Sequence, residues 1–189
     1  MSETEFDPIK GDEPKLDKPE LDQETYELVQ ELFQLARDGN AERVGKLLEM
    51  GLVPNLRDGQ GNSLLMLASY HGHHELTRLL LIHGGDPQLA NDRGQIPLAG
   101  AAFKGDLEMA RLLVEFGADV NAISPDGKTP LMFAAMFDRV EIMDLLLEHG
   151  AVASAQTAEG ATAEALAQVM GANRAAAHLS ALGRPERAE

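Results

Sequence analysis

The 189-residue chain sets 16 Lys and Arg against 31 Asp and Glu, a formal charge of −15, and its 44% apolar content includes 6 Phe and 2 Tyr but no Trp and no Cys. Without cysteine there is no disulfide framework, thiolate metal site or redox thiol, and the charge repels phosphate backbones and anionic lipid, which disfavours nucleic acid and membrane as partners. The apolar fraction suffices for one continuous core, to be built from Leu, Ala, Val and Met rather than from rings.

Residues 1–23 hold eight acids, three lysines and the prolines Pro8, Pro14 and Pro19. So few apolar residues do not offset the entropy of ordering, and the segment is expected to be a disordered acidic arm, a solvating extension before it is a docking tail or lid. Its acidic start is unlike a secretory leader, and no apolar run in the chain approaches a membrane span. A soluble, cytoplasmic protein is the expectation.

From Glu24 onward the pattern becomes periodic. Gly61, Gly94, Gly127 and Gly160 recur every 33 residues, and so do Gly84, Gly117 and Gly150. Each ladder brings its neighbours into register: Leu64 to Ala68, Pro97 to Ala101 and Pro130 to Ala134 follow the first, while Leu79 to Leu81, Leu112 to Val114 and Leu145 to Leu147 precede the second. A period of this length means stacked units that bury a core only by leaning on one another.

Residues 24–57 form the first, degenerate unit. Leu28, Leu32, Leu35 and Ala36 fall at helical spacing, Gly39-Asn40 turns the chain, and Val44, Leu47 and Leu48 make a second apolar face. It is expected to be an N-terminal cap whose outer face meets water. Residues 58–90 are a full unit, with a loop tip at Asp58 to Gly61, helices over Asn62 to Tyr70 and His74 to His83, and a turn at His71-Gly72. Residues 91–123 repeat the plan with Gly100 where other units carry Leu67, Phe133 and Leu166, and the Phe133 ring is expected to fill the space over that glycine. Residues 124–156 are the cleanest copy, with Thr129 capping a helix that starts at Pro130. Gly72, Gly105 and Gly171 mark a turn that wants positive φ, where the fourth unit has Asp138, a residue that tolerates that region. Residues 157–183, alanine-rich with Asn173, Arg174 and His178, read as a C-terminal cap, and 184–189 as a frayed tail.

The run Asp126-Gly127-Lys128-Thr129-Pro130-Leu131 through Glu148-His149-Gly150-Ala151, together with Gly117-Ala118-Asp119-Val120-Asn121-Ala122, resembles an ankyrin repeat, and the resemblance spans residues 24–183. It implies an all-α solenoid of helix-turn-helix units joined by β-hairpin-like loops, and a protein-binding surface with no catalytic activity and no cofactor. The family usually has His two residues after the helix-opening Pro; here those positions are Met66, Ala99 and Met132, so a histidine network between loops gives way to apolar packing.

The one cluster suggestive of metal chemistry is His71-Gly72-His73-His74-Glu75. His71 and His74 are three apart, but Gly72 interrupts the helix that would align them, and His73 matches the family's Gly-His turn, so no metal site is assigned. His83 and His149 suit the negative ends of their helices. No phosphate loop, nucleophile elbow or paired carboxylates are present, and an enzyme has no residues to rest on.

In an array of this kind the two residues before each turn face a concave groove. Unit by unit they are Arg37 and Asp38, Tyr70 and His71, Phe103 and Lys104, Met136 and Phe137, and Val169 and Met170. Tyr70, Phe103, Met136 and Phe137 make an apolar stripe at exposed positions, the mark of a partner site. Arg57, Gln60, Asn62, Arg93, Gln95, Asp126 and Lys128 at the loop tips add polar readers. The sequence-based expectation is a monomeric protein-interaction module holding another polypeptide in this groove; the alternative is a stoichiometric regulator of one particular enzyme, an inhibitor, immunity or stress factor.

Overall fold

The computed structural model describes residues 22–182, so the expected arm over 1–21 and the tail over 184–189 lie outside the described residues. The described residues contain ten α-helices: α1 (Gln23–Asp38), α2 (Ala41–Glu49), α3 (Leu64–Tyr70), α4 (His74–Ile82), α5 (Pro97–Lys104), α6 (Leu107–Glu115), α7 (Pro130–Met136), α8 (Val140–Glu148), α9 (Ala163–Met170) and α10 (Asn173–Leu182). They pair into five hairpins. The first helices α1, α3, α5, α7 and α9 form one row, the second helices α2, α4, α6, α8 and α10 another, and each hairpin touches only its neighbours. This is the all-α solenoid of the sequence reading.

The 33-residue period is visible as repeated local chemistry. Ser63, Thr129 and Thr162 cap α3, α7 and α9 by accepting from the backbone N–H three residues on, at 3.0, 3.4 and 3.2 Å. Ile96 holds the corresponding place before α5 without a side-chain cap, and Pro97 at the first turn makes the lost donor harmless. Asp58, Asn91, Ser124 and Thr157 open four hairpin loops. In each loop the opening residue donates its N–H to the carbonyl four residues on, at 2.9 to 3.0 Å, while its side chain accepts an N–H from the far side. Asn55 and Asn121 tie neighbouring units together: Asn121 donates to the Gly150 carbonyl at 2.9 Å and accepts from Val152 N–H at 2.9 Å, and Asn55 does the same with Gly84 and Asp86.

At the helix-helix turn, Gly39, Gly72, Gly105 and Gly171 have φ of 72, 79, 82 and 71°, and Asp138 takes φ 58° in the same register. The reason Asp138 is tolerated lies in the next unit. A Cβ on Gly105 would sit 2.6 Å from Arg139 Nε, and one on Gly39 would overlap the His73 ring. The residue after Asp138 in that stacking order is Ala172, too small to fill the space. Asp138 uses the room to reach α10, whose amide at Ala175 donates to its Oδ1 at 2.8 Å. The preceding unit thus supplies the cap that Ala172 lacks, whereas Asp106 caps its own helix at Met109 N–H, 3.0 Å.

Two expectations need correction. The first helix begins at Gln23 with Asp22 as its cap, accepting from Thr25 N–H at 2.8 Å, so these two residues belong to the fold and not to the arm. On α1 the buried set is Leu32, Phe33, Leu35 and Ala36; Leu28 is 60% exposed. Periodicity placed Leu28 on the core face, but the helix turns its Phe33 side towards α3, and nothing described packs over Leu28. The outer face of this unit, expected to meet water, carries Leu28, Leu32, Leu35, Leu47, Leu52 and Leu56 around an open hollow of about 310 Å3.

Candidate functional site

The residues that end each first helix lie in one row. Tyr70 and Phe103 close α3 and α5 and are 44% and 41% exposed; Met136 and Phe137 at the end of α7 are half-buried, and Val169 and Met170 continue the row exposed. These side chains touch across units. The Phe103 and Phe137 rings meet edge to face, centroids 4.6 Å apart at 76°, a geometry in which the positive ring edge meets the negative face. Lys104 carries its ammonium 4.2 Å from the Tyr70 ring centroid and donates to the Tyr70 carbonyl. His71 packs edge-on against Tyr70 at 5.7 Å and stacks on His73 at 6.2 Å. Burial, then the nearby charges of Lys104, His73 and Arg37, push the His71 imidazole below its usual range, which keeps it uncharged at neutral pH.

A hollow of about 90 Å3 opens among Tyr70, Gly100, Phe103 and Phe133. The expectation that Phe133 fills the space over Gly100 is not met. The atom nearest a Cβ on Gly100 is Tyr70 Cδ2 at 3.6 Å, and no Phe133 atom comes within 4 Å of it. The ring covering Gly100 therefore comes from the preceding unit, and Phe133, half-buried, walls the hollow from the other side.

The loop-tip residues are more occupied than the sequence reading supposed. Arg57 donates to the carbonyls of Gly61 and Ala90 and pairs with Asp92 at 3.2 Å. Asn62 donates to Asp58 and accepts from Asn91 at 3.0 Å, Gln95 accepts from Asn91 at 2.9 Å, and Gln60 accepts from Asn62 at 3.4 Å. Asp126 and Lys128 pair with each other, and the Lys128 and Ser124 bonds hold the Asp126 carboxyl below its ordinary range. Arg57 and Asn62 brace one hairpin against the next, while the Gln60, Gln95, Asp126 and Lys128 side chains are held within their own loops. Arg93 is exposed at the tip and rims a second hollow of about 250 Å3 with Tyr70 and His71.

The histidines bond to different partners. His73 Nε2 lies 2.7 Å from the Arg37 carbonyl, and since a carbonyl only accepts, that nitrogen carries the proton. His74 Nε2 turns to Asp106 Oδ1 at 2.9 Å in the next unit. His83 and His149 bond the Leu79 and Leu145 carbonyls through Nδ1 at 2.9 and 2.8 Å, at the ends of α4 and α8 where the dipole favours them. One contact in the groove column escaped the sequence reading: Arg37 pairs with Asp58 at 3.0 Å. Burial raises the Asp58 carboxyl, but bonds from Asn62 and Gln60 and the Arg37 charge outweigh it and hold the group below its usual range. The signal for it was the offset of 21 residues between a helix end and the next loop opening.

Stacked helical hairpins with a row of half-exposed rings along one side define a repeat-solenoid scaffold, a surface rather than a cleft. The family model described as Ankyrin repeats (3 copies) matches residues 32–124 and 101–183. The chain belongs to the ankyrin-repeat family. An ankyrin repeat protein of Pseudomonas aeruginosa is 61% identical over 62 residues, 33% of this chain and 36% of that relative. The chain thus spans about a third of the length of the relative it matches. Proteins of this family are in general protein–protein interaction modules without catalytic activity. No helix among the described residues is long and apolar enough to cross a membrane.

Proposed function

We propose that the chain, as a cytoplasmic monomer, recognises a segment of another protein along the row Tyr70, His71, Phe103, Lys104, Met136 and Phe137. The observation that carries this reading is the exposure of Tyr70 and Phe103 along one side of a buried core that, among the described residues, is aliphatic apart from Phe33. Rings of limited side-chain freedom lose little entropy on contact and suit the centre of an interface. Lys104 and Arg93 flank the row in a chain of charge −15, which favours a segment carrying an apolar anchor beside carboxylates. The loop tips contribute shape and a rigid rim, with the exposed Arg93 as a polar reader and Arg57, Gln60, Asn62, Gln95, Asp126 and Lys128 fixing the hairpins. Binding is an equilibrium, with no bond made or broken.

The test is affinity capture with the wild type beside a Phe103→Ala, Phe137→Ala double variant whose folding is checked by circular dichroism. A protein retained by the first and lost by a folded second supports the reading. Equal retention by both places recognition elsewhere on the molecule.

A further inference from the structure

Gly100 stands inside α5, where glycine is a poorer helix former than alanine. Among the described helices the other interior glycine is Gly45 of α2, and packing explains it: a Cβ there would meet Leu79 Cδ2 at 3.0 Å, too close for an ordinary contact. Nothing comparable forbids a side chain at Gly100, whose Cβ would meet Tyr70 Cδ2 at 3.6 Å, and other units carry Leu67, Phe133 and Leu166 in this register. The chain thus leaves open a space that its own fold could fill. That space is the hollow of about 90 Å3 bounded by Met66, Ile96, Ala99 and the rings of Tyr70, Phe103 and Phe133. Its polar members, Gln95 and Ser124, are bonded within their own loops, so the surface it offers is apolar.

We propose that the hollow over Gly100 is the specificity pocket of the groove, taking one aliphatic side chain, Leu, Ile or Met, from an acidic segment of the partner whose carboxylates lie against Lys104 and Arg93. This rests on the groove reading above and specifies its occupant. Size is the first argument: about 90 Å3 falls well short of the roughly 150 Å3 that takes a benzene ring, so an aliphatic anchor fits where an aromatic one does not. The second is charge. The hollow shares Met66, Tyr70 and Gln95 with the neighbouring one of about 250 Å3, whose charged wall residue is the exposed Arg93. Lys104 holds its ammonium over the Tyr70 ring with one of its three protons on the Tyr70 carbonyl. The carboxylates of Asp58 and Asp92 beside these walls are already paired with Arg37 and Arg57. On a chain of charge −15 this is a place that attracts carboxylates instead of repelling them.

The test selects binders of the full chain from a displayed library of random peptides and titrates them against the wild type, Gly100→Leu, and the Phe103→Ala, Phe137→Ala double variant, each checked for folding by circular dichroism. Expected are peptides that share Leu, Ile or Met at one position with Asp or Glu close by, and whose anchor methyls give nuclear Overhauser contacts to the Met66 and Ile96 methyls. Gly100→Leu, which places in the hollow the side chain other units carry, weakens them by at least about tenfold. Should that variant not fold, Gly100→Ala takes the space of one methyl and weakens a Leu-anchored peptide by about fourfold. Peptides with an aromatic anchor, or peptides that bind a folded Gly100→Leu as tightly as the wild type yet are lost on the double variant, overturn the pocket and leave the groove reading standing. Peptides indifferent to all of these substitutions overturn both, as does a library that yields no binder.

Discussion

Asp138 is a sharp place to test how the units communicate, because two opposing effects meet in one residue. Its left-handed backbone costs an ordinary L-residue about 1–2 kcal/mol, less for Asp, and nothing for Gly. Its carboxylate caps α10 in the following unit at 2.8 Å, and the recipient amide belongs to the buried Ala175. A lost cap costs about 1–2 kcal/mol, towards the upper end when the freed donor is buried. Asp138→Asn keeps both the tolerance and an acceptor and should change stability by less than about 0.5 kcal/mol. Asp138→Gly loses the cap but relaxes the backbone, for a net loss of about 0–1 kcal/mol. Asp138→Ala loses the cap and keeps the strain, for a loss of about 2 kcal/mol. On a chain of this size that lowers the melting temperature by about 4–8 °C. Calorimetry of the three variants gives the order, and hydrogen exchange at Ala175 locates the effect. Adding Ala172→Asp to Asp138→Gly should restore the loss by rebuilding the arrangement of Gly72 and Asp106. If Gly is worse than Ala, or if Ala175 exchange is unchanged in either, the cap between units is not what Asp138 provides.

Three further outcomes follow from the packing. Gly100→Ala should stabilise by about 0.5–1 kcal/mol, because the helix gains a better former and the new methyl meets Tyr70 Cδ2 at an ordinary 3.6 Å; a lower urea midpoint would show that the hollow does not accept it. Thr77 is fully buried and its hydroxyl has no partner among the described residues, so the isosteric Thr77→Val should gain about 1 kcal/mol by denaturant unfolding, and a loss would point to an unseen acceptor. Asp58, whose carboxyl is held below its usual range, stabilises the fold above the unfolded carboxylate range, and that contribution disappears as pH falls through the lowered value. Asp58→Asn should therefore cost about 0.5–1 kcal/mol at pH 7 by removing the Arg37 pair, with the two proteins converging as pH falls through the lowered value of the Asp58 carboxyl; a difference unchanged at low pH would refute the assignment.

Much of this was legible in the sequence because the repeat writes the same chemistry several times. The glycine ladders fixed the unit, and Asp138 could be placed in the turn by register alone. What the sequence did not disclose were choices between equivalent neighbours. Leu28 and Phe33 both fit an amphipathic α1, and only the position of α3 decides that Phe33 is buried. Tyr70 and Phe133 are both able to reach Gly100; stacking direction brings Tyr70. The loop-tip polar residues looked available because their partners inside the loop, Gly61 for Arg57 and Asp58 for Asn62, come into reach only when the loop folds, and the next unit adds Asp92 and Asn91. The apolar outer face of the first unit was hidden for the same reason, since the residues that line it are those an inner unit buries.

The account's central claim is that the row through Phe103 is a free face that grips another polypeptide, and photocrosslinking tests it most directly. A photoreactive phenylalanine analogue replaces Phe103 in one protein and Ile82, exposed on the second-helix side, in another, both expressed in their host cells. The account predicts a discrete adduct of higher mass from position 103, suppressed by Phe137→Ala, and none from position 82. Adducts from position 82 alone, or equally from both, would contradict it.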